Sequence, residues 1–290
     1  MNLVVGATGL LGGEICRLLA AEGKPVRALV RPTSDQSKVA QLESLNIEVV
    51  RGDLKDRASL DAACEGTSAV ISTASATLSR QEGDSIQTVD LEGQLNLIDA
   101  AKAASSSQFV LISFPEVDVE FPLQAAKRKV EEHLKASGLT YTILQPAFFM
   151  EVWLSPALGF DAANAQAQIY GSGENKISWI SYKDVAKFAI ASLDNSEARN
   201  AVIELGGPEA LSPLEVVQIF EKVMGRKFDV QHVPEEALRE QRDGASDPLQ
   251  QSFAGLMLNY SQGTIIDMHE TLQKFPVQLT SIRDYAQASV

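Results

Sequence analysis

The chain opens on MNLVVGATGLLGG, and this stretch constrains its architecture more than any other. A short apolar run, Leu3-Val4-Val5, meets Gly6-x-x-Gly9-x-x-Gly12 and passes directly into an amphipathic helix over residues 14–21. Strand, glycine turn and helix in that order form the setting in which such spacing marks a dinucleotide phosphate site. Gly6 permits the sharp turn off the strand, Gly9 lets the backbone approach a pyrophosphate, and Gly12 packs helix against strand. The unpaired N–H groups around Thr8, Leu10 and Leu11 then face the phosphates, where the helix dipole favours negative charge.

The first half repeats one unit. Apolar runs at 25–30, 47–51, 69–73, 109–113 and 141–144 follow the opening strand, and helical patterns cover 35–45, 58–64, 84–104 and 123–137. Near-continuously apolar strands alternating with helices predict an α/β fold, a doubly wound parallel sheet covered on both faces. The reading places a Rossmann-type nucleotide domain at 1–150 and a smaller α/β lobe at 151–290, with some segments returning to the main sheet.

On such sheets ligands sit beyond the carboxyl ends of the strands, where the winding reverses. Arg31 follows the second strand with no acidic competitor at that end, and Thr33, Ser34 and Lys38 add donors. An arginine there accommodates a 2′-phosphate, so NADP(H) is expected over NAD(H). Asp53 and Leu54 follow the third strand and suit an adenine amino group and ring. Ser72, Thr73 and Ala74 follow the fourth, Ser113 and Phe114 the fifth, Pro146 and Phe148 the sixth, and all are expected cofactor contacts.

In the helix at 123–137, Leu123, Ala126, Val130 and Leu134 line one face at helical spacing. Arg128, Lys129, Glu131, Glu132 and Lys135 fall on the rim or the opposite face. Lys127 lies within the apolar stripe. Its stem could snorkel to water, or its ammonium could point over the sheet edge at ribose hydroxyls or a substrate oxygen.

GATGLLGGE, VRALVRP, GDLKDRASL, the K-x-x-V-E at 127–131 and LTYTILQPAFFMEVWL together resemble the NmrA-like group of atypical short-chain dehydrogenases. The resemblance continues through ISYKDVA at 180–186 and LGGPE at 205–209 and so covers nearly the whole chain. It implies NADP(H) as cofactor and Lys127 as the active-site lysine, near ribose and nicotinamide. The wider superfamily places a catalytic tyrosine four residues earlier, where this chain has Leu123. The group holds isoflavone-reductase-type, quinone and dye reductases, and also non-catalytic redox sensors.

Phe114 after the fifth strand, with Phe149, Met150 and Trp153 after the sixth, is expected to wall an acceptor pocket, since small-molecule sites are mostly apolar. The preferred reading is an oxidoreductase transferring hydride to a small aromatic or quinone-like acceptor. The alternative is an NAD(P)-binding sensor acting through a protein partner. A net charge of −13 argues against nucleic acid and anionic membranes as partners. Cys16 and Cys64 read as buried or reduced thiols, and His133, His232 and His269 have no metal-ligand spacing. With no membrane-length apolar run and a strand starting at residue 3, the expected compartment is the cytoplasm.

Overall fold

A computed structural model describes residues 1–77 and 81–289. The six apolar runs form β1 (Asn2–Val5), β2 (Val26–Val30), β3 (Glu48–Arg51), β4 (Ala69–Ser72), β5 (Gln108–Ile112) and β6 (Thr140–Pro146). Three short strands follow, β7 (Phe160–Asp161), β8 (Gln166–Tyr170) and β9 (Ile177–Ser178), then β10 (Ala201–Leu205), β11 (Ala210–Leu211) and β12 (Asp229–Val233). The main sheet has seven strands in the order β10-β6-β5-β4-β1-β2-β3. Its pairings from β6 through β3 are parallel, with Val5 opposite both Leu29 and Ser72. The winding reverses between β1 and β4, so the crevice of a doubly wound sheet falls at their carboxyl ends.

The helices of the first half are α1 (Leu10–Ala21), α2 (Gln36–Ser44), α3 (Arg57–Cys64), α4 (Gln94–Ala103) and α5 (Pro122–Ala136). Asp35 and Asp56 cap α2 and α3 by accepting from Ser37 and Ala58 N–H. The single helix expected at 84–104 is instead two pieces: a wide π-helical segment, Ile86–Gly93, runs into α4. Gly93 marks the junction, because a Cβ there would stand 2.8 Å from the Leu54 Cβ. Such π-turns shift the register of side chains and gather at functional sites.

Later in the chain come α6 (Met150–Trp153), α7 (Tyr182–Asp194), α8 (Pro213–Met224), α9 (Glu235–Gly244), α10 (Pro248–Gln262), α11 (His269–Lys274) and α12 (Ile282–Ala288). A capping box at Ser212 and Glu215, with Pro213 at the first position, starts α8. The sequence reads as a helix over 234–242 with a polar loop or hinge over 239–248, and α9 runs two residues past that helix into the loop. The chain then enters α10, whose Gly255 sits against the Phe121 ring, 2.6 Å from its Cγ if it bore a Cβ.

The chain forms two compact units. The first comprises Met1–Ser113, Leu123–Gln145 and Val185–Ile203, and the second Phe114–Pro122, Pro146–Asp184 and Glu204–Val290. The chain therefore passes between units several times, and β10 from the second half lies in the main sheet. Among the described residues no helix is long and apolar enough to cross a membrane.

Cys16 and Cys64 are free and buried, and burial pushes both thiols up to about 12. Thiolate is the reactive form, so neither should react with a disulfide reagent at pH 8 in the folded protein. Two equivalents should appear on denaturation. Rapid labelling of the native protein would contradict this packing.

Candidate functional site

In the first unit, β1 ends at Gly6, whose φ of +87° is the left-handed conformation that glycine adopts without strain. Gly9 N–H donates to Gly6 O at 2.9 Å and closes the turn. A Cβ on Gly12 would collide with the Gly6 carbonyl oxygen and stand 2.9 Å from Thr73 Oγ1, so only glycine lets α1 lie this close to β1 and β4. No side chain caps α1 at Gly9. The N–H groups of Leu10 and Leu11 are thus left for a ligand or water, the condition for an anion site. Gly9 and Leu10 are exposed, Leu11 and Gly12 buried. Thr8 contributes its carbonyl to Lys38 Nζ at 3.2 Å. These residues fit a dinucleotide's phosphates: the glycines open a cradle that side chains would fill.

At the end of β2, Arg31 is already engaged. Its Nη1 lies 2.6 Å from Oδ2 of Asp84, whose side chain is only 2 % exposed. The other Asp84 oxygen pairs with Lys55 Nζ, and Lys55 also lies 3.2 Å from Asp53 Oδ2. The acidic competitor absent from the strand end therefore arrives from 53 residues downstream. Asp53 accepts from Lys55 N–H at 2.9 Å and so also shapes its own turn. Leu54 is buried in the core cluster, and of this pair Asp53 is the more accessible.

Beyond β4, the small residues form a braced loop. Ser72 Oγ donates to Gln94 Oε1 at 2.8 Å, and Gln94 Nε2 donates to Ala74 O at 3.1 Å. Thr73 Oγ1 donates to Val5 O at 3.1 Å, tying the loop to β1. Ser72 is thus occupied inside the protein, a bracing role for a residue expected at the cofactor. Ala76 N–H donates to Asp90 Oδ2 at 2.9 Å.

Asp90 is fully buried in the π-helical segment, and its other oxygen, Oδ1, accepts no hydrogen bond among the described residues. It faces Lys127 Nζ at 3.5 Å. Lys127 is 5 % exposed, so its ammonium is held inside against a carboxylate and does not snorkel to bulk water. Its neighbour Arg128 reaches the end of β5: Arg128 Nη2 donates to Ser113 Oγ at 3.2 Å and pairs with Glu131 at 3.0 Å. Glu131, placed by helical spacing on the rim, is buried and accepts from Gln145 Nε2 at 3.0 Å. Helical periodicity alone could not show this, because the polar partners come from β5 and β6.

The second unit holds the aromatic residues expected around the acceptor. Phe148 is edge-on to Trp153 at 4.8 Å between ring centres, and Trp153 stacks on Tyr260 at 5.2 Å. Phe114 stacks on Phe121 at 5.9 Å. Phe149 and Trp153 keep partial exposure, and Pro146 is buried. Met150, expected in the acceptor wall, has no exposed surface and packs beside Gly207, so its side chain belongs to the core here. Glu151 accepts from Ser181 Oγ and from Tyr182 N–H at 3.1 Å, which anchors α6 to the start of α7. Burial raises the hydroxyls of Tyr170, Tyr260 and Tyr285, the opposite of the depression a tyrosine acid catalyst needs. Leu123 is buried and supplies no acid.

These features define a doubly wound nucleotide-binding fold with a glycine turn and a buried lysine at helix α5. The NmrA-like family model matches residues 2–281, and the chain belongs to the NmrA-like family. It is 31% identical to an NAD(P)H azoreductase of Xenophilus azovorans over 78% of this chain and 74% of that protein. It is 32% identical to the photosystem II assembly factor Ycf39 of Synechocystis sp. over 98% of this chain and 89% of that protein. Among solved structures, an NADPH-dependent quinone oxidoreductase of Escherichia coli complexed with NADPH superposes with a TM-score of 0.80 at 23% identity. That superposition covers 100% of this chain and 99% of the other, and it shows the shared fold.

Proposed function

We propose that this chain is an NADPH-dependent oxidoreductase that transfers hydride to a small aromatic or quinone-like acceptor. The observation that carries the reading is the uncapped first turn of α1, held against β1 and β4 by Gly6 and Gly12. The azoreductase relative and the NADPH-bound quinone oxidoreductase support oxidoreductase chemistry on this scaffold. When bound, the nicotinamide supplies the hydride.

The chain's own residues do the rest. The α1 N–H groups hold the pyrophosphate, Arg31 the 2′-phosphate, and Asp53 the adenine amino group. Lys127 holds ribose hydroxyls and offsets negative charge developing on the acceptor oxygen or nitrogen. Phe114, Phe149 and Trp153 supply apolar, aromatic side chains for the acceptor. With Leu123 in the tyrosine position, the proton that follows the hydride comes from water, which suits quinones and azo groups better than simple ketones.

A steady oxidation of NADPH by quinones, azo dyes or phenylpropanoid ethers tests the reading. Arg31→Ala should weaken NADPH binding by the worth of one charge-assisted contact, about 1.5–3 kcal/mol, and leave NADH nearly unchanged. Equal loss for both cofactors would make Arg31 merely structural.

A second reading is a non-catalytic NADPH-binding protein that acts through a protein partner. The missing tyrosine at Leu123 favours it, as does the likeness to a photosystem II assembly factor. Tight NADPH binding with no turnover across the acceptor panel would select it.

A further inference from the structure

The grip of Asp84 on Arg31 and Lys55 bears directly on which dinucleotide the first unit accepts. Three cations gather at the ends of β2 and β3. Arg31 pairs with Asp84 at 2.6 Å, Lys55 reaches both Asp84 and Asp53, and Arg51 Nη1 donates to Arg31 O at 3.3 Å. Against them, among the described residues, stand the carboxylates of Asp53 and Asp84, which leaves these five groups a formal charge of +1. A phosphate monoester carries about −1.5 to −2 at neutral pH, more than this cluster offsets. Arg31 and Lys55 are about one third exposed and can turn to a ligand, whereas Asp84 is 2 % exposed and stays where its backbone puts it.

We propose that Asp84 is a specificity-determining residue: a built-in carboxylate that competes with a 2′-phosphate for Arg31 and Lys55. It levels a preference for NADPH over NADH that the two cations alone would make steep. A 2′-hydroxyl next to the cluster leaves the Asp84 pairs intact. A 2′-phosphate must share both cations with Asp84 and bears its repulsion. The wild-type chain thus accepts both reduced dinucleotides, with a modest NADPH preference. Lys55 is then the second phosphate ligand beside Arg31. This inference rests on the dinucleotide reading of the glycine turn.

The test measures dissociation constants of the full chain for NADPH, NADH, 2′,5′-ADP and 5′-ADP, the last two isolating the 2′-phosphate. Asp84→Asn keeps the shape and removes the charge. It should raise the NADPH-over-NADH and 2′,5′-ADP-over-5′-ADP preferences at least about tenfold, with NADH affinity held. Lys55→Met, at a partly exposed site that leaves Asp84 paired with Arg31, should lower both preferences several-fold. It decides the matter if Asp84→Asn does not fold. Unchanged or lowered preference in Asp84→Asn, or unchanged preference in Lys55→Met, overturns the assignment while the dinucleotide site stands. Failure of the wild-type chain to bind any of the four probes overturns both.

Discussion

Replacing Gly12 with alanine should weaken NADPH binding about 100-fold, the scale at which a 1 Å misplacement of aligned groups is felt. The added Cβ would meet the Gly6 carbonyl oxygen, with the Gly6 carbonyl carbon only 2.7 Å away and Thr73 Oγ1 at 2.9 Å. None of these is the free end of a flexible chain, because Thr73 is itself bonded to Val5 O. Helix α1 must therefore shift off β1, carrying the Leu10 and Leu11 N–H groups with it. Overpacking of this kind also lowers stability by about 1–3 kcal/mol. Gly9→Ala separates the two effects. Its Cβ would meet only Gly6 O, at 3.2 Å, and Gly9 is exposed, so the fold should hold while a side chain obstructs the pyrophosphate. Fluorescence titration with NADPH and urea denaturation of both variants give the comparison. Wild-type affinity in Gly12→Ala would remove the glycine turn from the binding site.

The parts of the fold that could be read from the sequence are those where local pattern and tertiary environment agree. Strands β1, β2, β4, β5 and β6 are mostly buried, so their runs are largely apolar, while β3 at the sheet edge is only half-buried; the edges of all six fall within a residue or two of the expected positions. The glycine turn is largely local, because Gly9 and Gly12 answer to Gly6, three and six residues away, although Gly6 itself is faced by Thr73 and Ala74.

What escaped reading was long-range. Asp84 looks like the start of an ordinary helix in sequence, yet it is a buried partner of Arg31. Asp90 sits in a π-turn whose widened register no 3.6-residue periodicity describes, and only that register turns it toward Lys127. Glu131 reads as a rim residue until Gln145 from β6 is placed beside it. Helix α10 carries a mixed signal: its buried positions join the small residues Ser252, Ala254, Gly255 and Ser261 to Leu258, Asn259 and Tyr260, so no clean apolar stripe marks it in the sequence. The short strands β7 and β9 are two residues each, too brief to carry a period.

Lys127→Ala should lower turnover by about 10²–10³-fold, the scale for losing one preorganised electrostatic donor. The single variant has a second effect, because Lys127 is not an isolated ammonium. It is 5 % exposed and faces the fully buried Asp90, so alanine leaves a carboxylate with no countercharge in the interior. Removing one partner of a buried pair costs about 3–5 kcal/mol, enough to lower the amount of folded protein and imitate a loss of catalysis. The charge must therefore be removed from both sides. In Lys127→Met with Asp90→Asn the stem volume remains, and the asparagine can still accept from Ala76 N–H, which Asp90 now holds at 2.9 Å. Replacing a whole buried pair by neutral groups is often close to neutral for stability, so the double variant should melt near the wild type. Its turnover should nonetheless stay down by the full 10²–10³-fold, since no cation remains to meet the charge on the acceptor. NADPH affinity should fall less than turnover, because the α1 turn and Arg31 are untouched. A double variant that is stable and turns over at the wild-type rate would make the pair a packing device and move the chemistry elsewhere. A chain with no turnover to lose, but with NADPH affinity weakened by the same change, would place Lys127 at the ribose of a binding protein that performs no reduction.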